Sequence, residues 1–476
     1  MNSRRECLLA LGALLLTACD PPAKAADPAL AAWNRAAFGP RPGDLDGFRL
    51  EDFLEGQLHP LELDDSECDR RLALFPTLSK SLTTLWADHW CAIPDDFTDQ
   101  EWAYLELPYH ETVQAAFVRA VYSRRQLLEV LADFWHNHFS VYGPHEEIMP
   151  VFPSYDRDVI RAHALGNFRR FLEAVASHPA MLTYLDNQSN EVAGPNENYA
   201  RELLELHTLG IAAYGGARPP EGAATWVDND VYEVARCFTG WGKDEDRGRL
   251  LYDPARHDRF NKRVLGCWLR SDLPDMADGR AVLDILAEHP ATAHHICFKL
   301  CRRLVCDDPP PGLVERAATV FLRANGADDQ LRQVVGCILR SPEFRGTWGG
   351  KRKRPFEFAA SLLRALKADF SRLNEDFLYV YESMGQPLFA RPTPDGYPDR
   401  ADAWRNTASA MFRWRLVQGL LDQELGVLID LSGPQDSAGW CRRMLGRPAR
   451  RMDLLEGART RELVALLAMG TEFTLS

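Results

Sequence analysis

Apolar residues recur at helical spacing through most of this chain, and that periodicity limits what it can fold into. In Ser123–Tyr142 (SRRQLLEVLADFWHNHFSVY), Leu127, Leu131, Phe134, Trp135 and His138 fall on one face of a helix. Ser123 and Gln126 read as a capping box that opens it. Similar patterns recur at 112–122, 155–164, 167–177, 278–288, 291–305, 312–324, 328–339, 355–369, 374–384, 401–422, 435–444 and 459–469. Alternating strand patterns are confined to short pieces around Arg249–Tyr252 and Val264–Leu269. The spacing therefore predicts a mainly α protein: one large multi-helix globular domain over 33–476, with long ordered loops and few short strands. Segment 385–398, rich in Pro and aromatics, reads as one of those loops.

Residues 1–18 read as a signal peptide. Arg4 and Arg5 form a basic start and Leu8–Leu16 an apolar stretch of the right length. Leu16-Thr17-Ala18-Cys19 resembles a bacterial lipobox, which predicts lipidation at Cys19 and a tether over 19–32. Ser3-Arg4-Arg5-Glu6-Cys7-Leu8 resembles a twin-arginine export signal, a route that lets a protein fold before export. The expected location is the cell envelope, lipid-anchored and facing the periplasm or the exterior. Apart from this leader, no stretch is long and apolar enough to span a bilayer. The formal net charge of −13 argues against a general nucleic-acid partner.

Of 11 cysteines, Cys7 falls in the leader and Cys19 carries the lipid, so an odd number remains and at least one is unpaired within the chain. Cys297 and Cys301, near His294, lack the usual zinc spacing and read as small core residues. Lys351-Arg352-Lys353-Arg354, just before Pro355, reads as a solvated helix start. His136-Asn137-His138 lacks the ββα context of an HNH nuclease.

The chemistry concentrates in Tyr184–Gly210, YLDNQSNEVAGPNENYARELLELHTLG. Asn196 is the expected N-cap and Gly210 the expected exit. Projected at about 100° per residue, Tyr199, Glu202, Leu203, Leu206 and Leu209 share a face, with Asn198, Arg201 and Glu205 along its edge. Glu202 is thus expected within an apolar stripe, where a carboxylate needs a partner. Arg201 and Arg236 are the local candidates for a structural ion pair. The functional reading joins Glu202, Glu205 and His138 with Asn198 and Arg201 as an acid/base site. Alternatively, His138, Glu202, Glu205, His257 and Asp258 hold a divalent metal that activates water.

These residues resemble the bacterial domain-of-unknown-function family numbered 1800. The likeness rests on Arg35-Ala36-Ala37-Phe38-Gly39-Pro40, Phe134-Trp135-His136-Asn137-His138-Phe139 and Pro195–Leu206 with Thr208 and Gly210. It continues through Asp230-Val231, Ala235-Arg236, Thr239-Gly240-Trp241, His257-Asp258, Lys262, Leu265-Gly266 and the Gly385-Gln386 loop. Residues 212–228 depart from the pattern as an insertion. The resemblance implies an exported, mostly helical protein, often encoded beside sulfatase-like exported proteins. Two functions stay open: hydrolysis of an envelope or extracellular polymer, or non-catalytic binding as the partner of an exported sulfatase-like hydrolase.

Overall fold

The longest helix, Asp99–Tyr122, starts well before the expected residue 112. Thr98 and Glu101 close a capping box at its start, which carries the helix across Trp102 and Tyr104. Helix Gln126–His138 follows. Ser123 and Gln126 do not cap each other: the Ser123 hydroxyl donates to Asp65 and accepts from the Arg125 amide, and the Gln126 carboxamide accepts from the Phe38 amide. Both side chains tie the turn to distant segments instead.

A computed structural model describes residues 28–475, except 95–97, 216–225, 347–349, 448, 450, 451, 453, 454 and 456. The expected signal peptide and the expected lipidation site Cys19, and 216–225 of the expected insertion, lie outside the described residues. The first described helix, Pro28–Arg35, begins within the expected tether. Helices dominate, joined by two antiparallel two-stranded sheets among the described residues. Trp241–Asp244 pairs with Arg249–Tyr252, and Lys262–Val264 with Cys267–Leu269. Leu265 and Gly266, both at positive φ, make the second hairpin turn. One continuous apolar core runs from Ala32 to Phe473. No described helix is long and apolar enough to cross a membrane.

The basic run is not solvated. Lys351, Lys353 and Arg354 are only 2–4% exposed. Lys351 pairs with Asp307 and Asp399, at 3.0 and 2.9 Å. Lys353 donates to the Ser361 hydroxyl at 2.8 Å. Arg354 pairs with Asp133, while Glu357 accepts from the Arg354 amide at 2.7 Å. Carboxylates from three other segments neutralise Lys351 and Arg354, which is why these two cations can sit in the interior.

Candidate functional site

Helix Glu197–Glu202 begins where expected, with Asn196 accepting from the Asn198 amide. It then widens into a π-helical turn, Leu203–His207. That i→i+5 turn re-aims the segment. The buried set is Tyr199, Ala200, Leu203, Leu204 and His207, whereas Glu202 and Glu205 stand half-exposed at the edge. The expected burial of Glu202 within the apolar stripe is thus corrected.

The end of this segment leaves carbonyls with no helical partner. Leu203 O accepts from the Thr208 hydroxyl at 2.6 Å, and Leu204 O from the Gly210 amide at 3.1 Å. Leu206 O meets His295 Nε2 and His207 O meets His138 Nε2, both at 3.2 Å. A carbonyl only accepts, so each of those Nε2 atoms carries the proton. His138 Nδ1 is therefore an acceptor, and the Lys299 ammonium donates to it at 2.8 Å.

These groups border a cavity of about 780 Å³. Helix Gln126–His138 contributes Phe134, Asn137 and His138. Helix Pro290–Leu304 contributes His295, Phe298, Lys299 and Arg302, a single face at i, i+3, i+4 and i+7. Its opposite face buries Cys297 and Cys301, whose thiols burial pushes up, Cys301 to about 12. The sequence signal for this wall is the Lys299 stripe, not the cysteine pair on the same helix. The third wall is the loop before Asp399. Asn137 clamps it, donating to Tyr397 O at 2.8 Å and accepting from the Tyr397 amide at 2.7 Å. The three residues of His136-Asn137-His138 thus point to three tasks, with His136 on Asp156 at 3.0 Å.

Electrostatically, the cavity is cationic with neutral imidazoles. Burial holds Lys299 down to about 8, although Asp399 and Asp395 pull it back. No carboxylate lies within ion-pair distance of Lys299 among the described residues. Burial, then Lys299, holds His138 well below its ordinary range and His295 at about 3. His207 behaves likewise, at about 3, and neither of its ring nitrogens meets a hydrogen-bond partner among the described residues. Arg302 lies over the Phe298 ring, 4.5 Å from its centre.

The other expected residues are placed as follows. Burial and then Glu205 raise the Glu202 carboxyl, against Arg201, and the cavity-lining Asp395 adds to the rise. Glu202 and Glu205 make no ion pair with a described residue, because the two candidate partners are engaged elsewhere. Arg201 pairs with Glu197 at 3.3 Å and Asp228 at 3.8 Å. Arg236 grips Glu233 and Asp258. Asn198 donates to Leu185 O and is exposed. His257 sits 3.1 Å from Asp278, in a separate brace with Asp258 and Lys262. His257 and Asp258 therefore do not join His138, Glu202 and Glu205. No three His, Cys, Asp or Glu side chains come together to hold a metal ion among the described residues.

Gly210 locks this geometry. Its φ is +84°, and a Cβ there would lie 2.6 Å from His295 Nδ1. Gly210→Ala should cost about 1–3 kcal/mol from the backbone alone and displace His295. A chemical denaturation midpoint identical to wild type would contradict this.

The chain belongs to the DUF1800 family of proteins of unknown function, whose model matches residues 31–475. No curated protein and no solved structure matches it.

Proposed function

We propose that this DUF1800 protein binds an anionic group, a carboxylate, sulfate or phosphate, against Lys299 and Arg302, while anchored in the bacterial envelope through a lipid on Cys19. Lys299 carries the reading. A half-buried ammonium facing a cavity, hydrogen-bonded to a neutral imidazole and without a carboxylate at ion-pair distance among the described residues, is an incomplete arrangement electrostatically. A ligand anion completes it. Arg303 and Arg354 also line the cavity, but Asp133 and Glu357 already neutralise them.

Titration with sodium sulfate at constant ionic strength tests this. Wild type should gain thermal stability, by about 2.7 kcal/mol at a hundredfold excess over Kd. Lys299→Met should weaken the affinity at least tenfold. Wild-type affinity should also fall as pH rises through about 8, where Lys299 loses its proton. Equal stabilisation of both proteins would overturn the proposal.

A second reading adds hydrolysis. Glu202, without an ion pair to a described residue and with its proton held more tightly than usual, suits a general acid or base near the cavity-lining Asp395. Glu202→Gln should then abolish turnover of an anionic envelope polymer and leave sulfate binding intact. If the protein is instead the non-catalytic partner of an exported sulfatase-like hydrolase, Glu202→Gln will leave complex formation unchanged and Lys299→Met will weaken it.

A further inference from the structure

Lys299 says what one end of the ligand is; the other walls of the cavity speak to the remainder. Phe134, Leu209, Ile211, Phe298 and Pro398 supply apolar surface, and Ala212, Ala213 and Ala291 leave room beside them. Ile211 is 58% exposed, an apolar side chain standing open at this wall. A volume of about 780 Å³ suits a small molecule rather than a length of polymer.

The polar groups on these walls are mostly engaged. Asn137 uses both ends of its carboxamide on Tyr397. His138 has a partner on each nitrogen. His295 gives its N–H to Leu206 O. Asp399 is held by Lys351. A polyol entering here would lose water from its hydroxyls and find few groups to replace it. An acyl or aryl body would lose nothing of that kind and would gain burial.

We infer that the cavity takes an amphiphilic anion, an acyl or aromatic body carrying one carboxylate, sulfonate or phosphate, seated with its charge on Lys299 and Arg302 and its body against Phe134, Leu209, Ile211 and Phe298. This rests on the anion-binding proposal above and narrows it.

The test is a calorimetric series of n-alkyl sulfonates of two, four, six and eight carbons, below their micelle concentrations, against wild type, Lys299→Met and Ala291→Trp. Affinity for wild type should rise about fourfold per added methylene until the cavity fills. Lys299→Met should lower every member by a similar factor and keep the slope. Ala291→Trp, which fills the wall without touching the cation, should flatten the slope. If sulfate binds in a Lys299-dependent way but the series is flat in wild type, the amphiphile inference falls and the anion site stands. If neither sulfate nor any sulfonate binds, both fall. A slope that Ala291→Trp leaves unchanged also overturns the inference, since the chain then lies elsewhere.

Discussion

Asp133→Asn should destabilise the fold by about 3–5 kcal/mol, the cost of leaving a buried charge without its partner. Asp133 stands between two internal guanidiniums: it pairs with Arg354 and lies 3.4 Å from Arg303. Both arginine side chains are 2–3% exposed, so water cannot replace the lost carboxylate. Glu357 would remain to serve both, since it already pairs with Arg303 and sits 3.5 Å from Arg354. Its carboxyl is held down to about 2, with Arg303 and then Arg354 outweighing its burial. One carboxylate at ion-pair distance cannot offset two buried cations, because Asp399, the next carboxylate to act on them, is already held by Lys351. Glu202→Gln is the comparison, because Glu202 makes no ion pair among the described residues and should change stability by less than about 0.5 kcal/mol. Denaturant midpoints for the two variants decide the matter. A loss below 1 kcal/mol for Asp133→Asn would show that the cluster is more hydrated than its burial implies.

Acidification should unfold the protein well before its carboxylates titrate. His138, His178 and His207 are buried, and burial holds each below the ordinary histidine value, His178 and His207 at about 3. Each has a local reason to stay neutral. His138 Nδ1 accepts from Lys299, so a proton there would set two cations in contact. His178 Nδ1 accepts from the Ala180 amide. His207 has no hydrogen-bond partner among the described residues to share a charge with. Between pH 6.5 and 3 the unfolded chain binds protons that the folded chain refuses. The stabilisation is therefore complete above 6.5 and is lost as pH falls toward 3. Each such histidine adds a slope of up to about 1.4 kcal/mol per pH unit, so the three together approach about 4 kcal/mol per unit near pH 5. Stability measured in urea from pH 7.5 to 4.5 should show this slope. His207→Phe should lower it by about one proton's worth, with little loss of stability at pH 7, because it removes a buried group whose nitrogens are unpartnered. A stability constant from pH 7 to pH 5 would rule the argument out.

Much of the fold was legible in the sequence because its signals are local. Asn167 caps Phe168–Ser177 and Asn374 caps Glu375–Glu382, each accepting an amide of its own first turn. Pro290 and Pro311 open their helices at the first position. The strand pieces near 249–252 and 264–269 also form, as hairpins. The burial of the basic run at 351–354 is not legible locally, because the carboxylates that neutralise Lys351 and Arg354 lie far away in sequence. Asp133 is 221 residues from Arg354, and no local pattern announces that contact.

The site divides along the same line. The sequence by itself placed His138 on the inner face of its helix and marked 184–210 as the segment where polar chemistry gathers. It also carried the Lys299 stripe, readable on one helix face. Tertiary structure decided that Glu202 turns to the edge, that His257 and Asp258 brace another region, and that a cavity opens beside Lys299. The physical reason is the π turn at Leu203–His207. A carbonyl can forgo its helical partner without penalty only when another donor meets it. For His207 O and Leu206 O those donors are His138 and His295, 69 and 89 residues away. The conformation of this short segment is thus set by two other helices, and with it the walls of the site.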